Sequence, residues 1–573
     1  MATTQNRNNF KIRTRVILGA VLFVALLLVT RLYFLQIVHG SEYRIEASDQ
    51  YVSTSGGFYD RGSIFFVDKN NLQVRGATIK TGFLLAIKPV EIVDAEQVYS
   101  VLEPYIEIDK ETFMIRATKE GDPYEEVATR LNTEAAAAIR EADLDGVLLL
   151  PDHWRYYPSG ALAAHTLGFV AYDGAERNGR YGLERHFDDV LVRGSSSLYI
   201  NFFAELFTNI RDVVFVPVNK REGNIVTTLE PEVQVQLERV LIEMKEKWDS
   251  QFTAGIVIDP QTGAVRALAV TPTFDLNDFG SAETADFANP LIERVYEMGS
   301  IMKPLTMAAG LDSGAVTSES TYNDRGSIKL DTYTISNFDG KARGVVPMQE
   351  ILSQSLNTGV AHIVTEMGKD EFRRYMYRYG INEETGIDLP NEAHNLTENL
   401  NSPRDVEYAT ASFGQGVALT PITMVRALSI LPDGYIEQPH IVSAIQPTSG
   451  IKHELDYSDV REQILDPETA EEITRMLVEV FDEALLGGDV KKEHYSIAAK
   501  TGTAQIASPD GGYYDDKFLH SFFGYFPAFD AKYLVFLMNV EPQGAQYASQ
   551  TLTEPFMEMT NFLINYYDIP PDR

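Results

Sequence analysis

Residues Val16 to Val38 read VILGAVLFVALLLVTRLYFLQIV and hold one charge, Arg31. As a helix this run spans about 35 Å, enough to cross a bilayer core. Arg31 lies about two turns from the C-terminal end, where its side chain can reach the headgroups. Arg7, Lys11, Arg13 and Arg15 precede the run, and no Asp or Glu occurs before Glu42. The positive-inside rule then places residues 1–15 in the cytoplasm and the bulk of the chain outside. A cleaved signal peptide would need a shorter apolar core and small residues at a cleavage site. The flank Leu-Tyr-Phe-Leu-Gln-Ile offers neither. A single uncleaved anchor over 16–38, with a large extracytoplasmic portion on the cytoplasmic (inner) membrane, is the expectation.

The rest of the 573-residue chain has ordinary globular composition, 44% hydrophobic and 23% charged, with room for two or three domains. The formal net charge of −33 argues against a duplex nucleic-acid binder, which needs a basic footprint. Cys is absent. Disulfides, a thiolate nucleophile and Cys-bound metals are therefore excluded. No metal or cofactor is expected from the motifs.

Residues 41–222 carry short mixed segments with many turn signals and read as a structural or interaction module. From residue 223 the pattern changes. Ile225–Leu229 looks like a strand, Glu230–Trp248 has helical periodicity, and Phe252–Asp259 with Ala264–Val270 reads as a hairpin. Three more strand candidates follow at Ser496–Ile506, Ser521–Phe526 and Tyr533–Val540. Helical patterns lie between, around 301–312, 348–366, 421–431 and 468–484. The expectation is an α+β domain over 223–573 whose sheet is assembled from both ends of the segment.

Three short motifs in this domain carry chemistry. In Glu297-Met-Gly-Ser300-Ile-Met-Lys303-Pro304, Ser300 and Lys303 share one helical face. Serine is a weak nucleophile until a base lies beside it, and a lysine kept neutral by burial can be that base. Pro304 fits only a first helical turn, so Ser300 sits near free backbone N–H groups that favour an oxyanion. Ser355-Leu356-Asn357 pairs a hydroxyl that can relay a proton with an amide that can hold a carbonyl. In Lys500-Thr501-Gly502-Thr503, strand alternation puts Thr501 and Thr503 on one face and Gly502 allows close approach. Two hydroxyls and an ammonium suit a carboxylate.

Each motif alone is commonplace. Ser449-Gly-Ile-Lys452 and Lys80-Thr81-Gly82 repeat two of them outside the right order. A surface serine near a solvated lysine, or a polar turn, is the usual meaning of such strings. Order and context together are more specific, and the set of three is the pattern of penicillin-binding proteins and β-lactamases.

With these motifs the chain resembles a class B penicillin-binding protein, a membrane-anchored D,D-transpeptidase of peptidoglycan. The likeness extends to Asp60-Arg61-Gly62-Ser-Ile64, Tyr157-Pro-Ser-Gly-Ala-Leu-Ala-Ala-His165, Tyr181-Gly-Leu-Glu184, Gly414-Gln-Gly-Val-Ala-Leu-Thr-Pro421 and His520-Ser-Phe-Phe-Gly-Tyr-Phe-Pro527. The Pro542-Gln-Gly stretch and the ending Ile569-Pro-Pro resemble the septal branch more than the elongation branch. The resemblance implies a pedestal of the dimerisation type over 41–222 and an antiparallel sheet with helices on both sides over 223–573. It implies Ser300 as nucleophile on a D-Ala-D-Ala stem peptide and Lys303 as its base. Ser355 and Asn357 would relay protons and hold the donor, and Lys500, Thr501 and Thr503 would hold its carboxylate. The backbone N–H groups of Ser300 and Thr503 would form the oxyanion hole. β-Lactams would acylate Ser300, and a multispanning glycan polymerase and division proteins would be partners.

Three departures stand out: Met298 where the family usually has Pro, Ala499 where Gly often precedes the lysine, and Leu431-Pro-Asp-Gly434 in place of an Asn-Gly-Gly turn. None removes a reacting group. A D,D-carboxypeptidase or β-lactamase-type hydrolase is the alternative that shares the motifs; a serine β-lactamase would also need a deacylating residue and has no use for an anchor and a preceding module. A non-catalytic β-lactam sensor or division scaffold would not need every reacting residue. No Glu-Asp-x-x-Phe, G-x-S-x-G or H-E-x-x-H motif supports a glycosyltransferase, a triad hydrolase or a zinc peptidase.

Overall fold

The computed structural model describes residues 60–173, 176–193, 222–447, 452–508 and 511–573. The expected tail, the anchor 16–38 and Ser449 lie outside the described residues. Among those described, no helix is long and apolar enough to cross a membrane.

Two compact units emerge, and they do not follow one cut at 222/223. The smaller comprises Thr81–His153 of the described chain. Its three helices, Ala95–Leu102, Lys110–Ala117 and Thr133–Glu141, each begin at a side chain that accepts an early N–H: Asp94 from Gln97, Asp109 from Thr112, Asn132 from Ala135. Leu85, Ile87, Leu102, Phe113 and Ile139 form its core.

The larger unit takes Asp60–Lys80 together with Trp154–Arg573. The reason is strand pairing. Ile64–Val67 runs parallel to Gly223–Thr227, with Ile64 opposite Ile225. Three of the family-like sequence pieces also meet here around one buried carboxylate. Glu184 accepts from Arg61 Nε at 2.6 Å, Arg155 Nε at 2.5 Å and the Tyr157 hydroxyl at 3.2 Å. Arg61 also donates to the Glu184 carbonyl, and Arg155 to that of Gly62. Burial opposes the Glu184 charge, but the Arg155 and Arg61 guanidiniums outweigh it and hold its pKa below the ordinary value. Glu184→Ala takes the shared carboxylate from two buried guanidiniums, leaving Arg61 its ion pair with Asp188 at 2.8 Å, and is expected to cost about 3–5 kcal/mol. An unchanged denaturation midpoint for the purified variant would contradict this role.

The catalytic-type motifs hang on a five-stranded antiparallel sheet. In chain order its elements are α1 (Pro231–Trp248), β1 (Phe252–Ile258), β2 (Val265–Thr271), α2 (Lys303–Asp312), α3 (Asn357–Met367), β3 (Ala498–Ala507), β4 (Tyr513–Phe526), β5 (Tyr533–Val540) and α4 (Ala548–Tyr566). The strand order is β3-β4-β5-β1-β2. The sheet is thus closed from both ends of the segment, as the hydrophobic pattern predicts. Both faces are covered, with side chains alternating between them. Val257 and Leu537 pack with Leu237 of α1 and Phe556 of α4. Ile256, Ile258 and Phe536 face the cluster that includes Leu305 of α2 and Val360 of α3.

Two expectations need correction. The helical pattern around 348–366 is broken in two, Met348–Ser353 and α3, because Ser355 adopts φ +54°. The strand expected from Ser521 begins at Tyr513.

Candidate active site

Gly299–Met302 forms a single 3-10 turn that runs directly into α2. The Lys303 N–H donates to the Ser300 carbonyl across this turn. A 3-10 turn eclipses residues three apart, so Ser300 and Lys303 are brought closer in angle than an α-helix would bring them. Pro304 sits in the first turn of α2, where its missing N–H costs nothing.

Lys303 is fully buried. Its Nζ donates to the Ser355 carbonyl at 2.5 Å and to Ser355 Oγ at 3.0 Å. Burial, followed by the charge of Lys500, drives its pKa well below the ordinary lysine value. A neutral amine has two hydrogens and one lone pair. With both hydrogens on Ser355, the lone pair is left for a proton from Ser300. Ser355 can present its carbonyl this way because it occupies the left-handed region. That conformation costs a non-glycine residue about 1–3 kcal/mol and is typical of functional sites.

Asn357 is the first residue of α3, and its Nδ2 donates to the Ser336 carbonyl at 2.9 Å. Strand β3 forms the opposite wall and is an edge strand. Gly502 and Ala504 are buried while Thr501 and Thr503 are half-buried, so the alternation falls as expected. A side chain at Gly502 would bring a Cβ to 2.4 Å from Ser521 Oγ and 2.9 Å from the Met298 carbonyl oxygen. The close approach of strand and nucleophile turn therefore requires glycine. Gly299 faces the same constraint, with φ +65° and the Thr503 carbonyl oxygen 2.8 Å from where its Cβ would be. The backbone just before Ser300 thus lies close against that of Thr503, and both residues line the same cleft. Lys500 is buried with its Nζ donating to the Thr501 carbonyl, and burial lowers its pKa to about 8.

A cleft of about 790 Å³ connects these groups, lined by Ser300, Ser355, Asn357, Lys500, Thr501 and Thr503. Lys303 lies beneath it, reached through Ser355. The structure therefore gathers every candidate residue around one cavity, apart from the anchor region outside the described residues. Met298, the departure before Gly299, is buried and accepts from the Ser521 hydroxyl at 3.1 Å.

The sequence motifs alone do not point to several other cleft residues. Phe338 and Tyr547 stand at the rim with ring centroids 5.9 Å apart. The first N–H of α4, at Ala548, donates to Thr503 Oγ1 at 3.1 Å. Arg343 lines the cleft and donates to Gln354, next to Ser355. Outside the cleft lining but three residues before Ser300, Glu297 is held by the Gly416 N–H and the Tyr513 hydroxyl. Its position three residues before Ser300 was the only local signal among these.

Comparison with known proteins fits this geometry. Residues 253–560 match the penicillin binding protein transpeptidase domain, and residues 60–204 the penicillin-binding protein dimerisation domain. Stage V sporulation protein D of Bacillus subtilis is 27% identical over 562 residues, covering 96% of this chain and 85% of that protein. The peptidoglycan D,D-transpeptidase FtsI of Escherichia coli is 25% identical over 472 residues, covering 82% of this chain and 76% of its own. Among solved structures, penicillin binding protein 2X of Streptococcus thermophilus superposes with a TM-score of 0.71 at 19% identity, covering 90% of this chain and 81% of that one. Penicillin binding protein 3 of Mycobacterium tuberculosis, complexed with aztreonam, gives 0.67 at 22% identity, covering 90% and 98%. These two likenesses show the fold.

Proposed function

This chain belongs to the penicillin-binding protein transpeptidase family, and from that premise we propose how its cleft works and where in the cell it acts. It is a serine D,D-transpeptidase of peptidoglycan synthesis, and the transpeptidase domain binds stem peptides and β-lactams. The observation that carries the mechanism is the buried Lys303 amine held against Ser355.

Ser300 Oγ attacks the carbonyl of the penultimate D-Ala while its proton passes to the Lys303 lone pair. The oxyanion forms in the gap between Ser300 and Thr503, facing their backbone N–H groups, each such donor contributing about 10²–10³-fold. Lys500, Thr501 and Thr503 bind the terminal carboxylate, and the Asn357 amide holds the donor chain. Collapse of the intermediate breaks the peptide bond, and the leaving amine takes a proton from Lys303 by way of Ser355. D-Ala departs. An amine of a neighbouring stem peptide then attacks the ester, gives up its proton to the same relay, and releases the cross-linked product with Ser300 restored. A β-lactam follows the first half, but its leaving group stays tethered and the ester persists.

Residues 16–38 anchor the chain in the cytoplasmic membrane, with residues 1–15 inside and the cleft outside; the charge asymmetry of the first forty residues supports this. The role is septal, supported by the FtsI-type relatives and the Pro542-Gln-Gly and Ile569-Pro-Pro stretches. A multispanning glycan polymerase and division proteins are its partners by family resemblance.

The test combines the purified protein with polymerised glycan bearing pentapeptide stems. One D-Ala released per cross-link is expected. Release without cross-links would make the chain a carboxypeptidase, and no release would remove the catalytic reading. A fluorescent fusion should gather at mid-cell, and lateral-wall signal would overturn the septal role. Deleting 16–38 should move the protein out of the membrane fraction.

A further inference from the structure

Asn357 is held from a part of the chain that carries none of the three motifs. Residues 321–347 form an arm of two small hairpin-like pairs. Thr321–Asp324 pairs with Gly344–Pro347, and Ser327–Leu330 with Tyr333–Ser336. The arm meets the first turn of α3 in one buried polar network.

Its centre is Asp324, 1% exposed. Oδ1 accepts from Thr358 Oγ1 at 2.8 Å, the Gly326 N–H at 3.0 Å and Asn337 Nδ2 at 3.0 Å. Oδ2 accepts from Asn337 Nδ2 at 3.1 Å and the Arg343 N–H at 3.0 Å. Asn337 Oδ1 in turn accepts the Thr358 N–H at 3.2 Å. One residue away, the Ser336 carbonyl receives the Asn357 amide. Burial disfavours the Asp324 charge, but the bonds from Gly326, Thr358, Asn337 and Arg343 outweigh it, so the carboxyl titrates below its ordinary value.

We propose that Asp324 is a positioning residue for acylation: its carboxylate clamps the arm to α3, so that the Ser336 carbonyl fixes the plane of the Asn357 amide toward the donor. This rests on the reading above that Asn357 holds the donor chain. Only a group that accepts at every lone pair satisfies this set of donors. An asparagine at 324 would turn an NH2 toward the Asn337 amide or the Arg343 N–H, donor against donor. The arm and the first turn of α3 would then shift apart, and Asn357 would lose its fixed orientation while Ser300 and Lys303 kept theirs.

The experiment exploits substrate chemistry. Benzylpenicillin carries an acyl amide for Asn357 to hold, whereas 6-aminopenicillanic acid has none. Acylation rates of the full-length protein are measured with both, for wild type, Asp324→Asn, Asn357→Ala and the double variant. Asp324→Asn should slow benzylpenicillin about 10- to 100-fold and leave 6-aminopenicillanic acid within about twofold. Asn357→Ala should slow benzylpenicillin by a similar factor, and the double variant should lose little more than either single variant. Equal slowing of both drugs would mean a general loosening of the site and overturn the proposal. So would no slowing, or fully additive losses. If Asp324→Asn does not fold, Thr358→Val removes the hydroxyl that lies against both Asp324 Oδ1 and Asn337 Oδ1 and should slow benzylpenicillin alone by about 3- to 10-fold. A wild type that neither compound acylates would instead remove the transpeptidase reading itself.

Discussion

Ser300→Ala is expected to eliminate covalent labelling by a fluorescent penicillin and to lower turnover by about 10⁵- to 10⁶-fold, the scale seen when a nucleophile is deleted. The variant removes one half-buried oxygen and leaves the 3-10 turn, its Lys303 N–H bond and the fit of Gly299 against Thr503 in place. Stability should therefore change by less than about 0.5–1 kcal/mol. The mass of the intact protein after incubation gives the readout: wild type gains one drug mass, the variant none. An adduct on the variant would place the nucleophile elsewhere and dismantle the mechanism.

Lys303→Met should slow acylation by about 10²- to 10⁴-fold while keeping the fold. Methionine fills the same buried space without a polar tip, so no stranded charge remains. It has no lone pair able to take the serine proton. Lys303→Arg should be equally inactive, because a guanidinium stays protonated, and it should also destabilise the protein by burying a permanent charge.

The wild-type pH profile of acylation has a sign that follows from the two lysines. Lys303 must be neutral to act, and burial with the Lys500 charge lowers its pKa. The rate should rise as pH climbs through that lowered value. Lys500 must be charged to hold a carboxylate, and its pKa falls to about 8. The rate should fall again as pH passes about 8. In Lys500→Arg the alkaline limb should move upward. A flat profile over pH 5–10 would separate acylation from both groups.

Much of this site is legible in the sequence because its parts are local. Ser300 and Lys303 are one turn apart, and Pro304 marks where the helix starts. The Lys500–Thr503 run shows the alternation of a strand, with a glycine where the nucleophile turn presses in. The hairpin Phe252–Ile258 and Val265–Thr271 and the helix Pro231–Trp248 follow hydrophobic period directly. What stayed hidden depends on distant partners. The break at Ser355 needs φ +54°, which a serine shows no sign of in its neighbours. The arm 321–347 consists of four-residue strands with half-exposed faces, too short for a period to register. Helix α4 contains Pro555, a residue that reads as a helix end. Strand β4 starts early because Tyr513 pairs with Ala507 of β3, and its first residues, Tyr513 to Lys517, escape the pattern because they lack a buried face. The pairing of Ile64–Val67 with a strand beyond residue 222 was not legible either, since it joins segments about 160 residues apart.

The pairing of β1 with β5 sets Phe252 against Val540, roughly 290 residues apart in the chain. During synthesis the hairpin β1–β2 leaves the ribosome long before any strand that can cover its open edge. Until Tyr533–Val540 arrives, that edge is a template for wrong partners. The last fifteen per cent of the chain also carries β3, which forms one wall of the cleft. A truncated product is therefore expected to retain no partial activity, and a stalled or prematurely cut chain to aggregate rather than act as a weak enzyme. Synthesis through the final strands acts as a quality gate, because the site comes into being only when the whole polypeptide does.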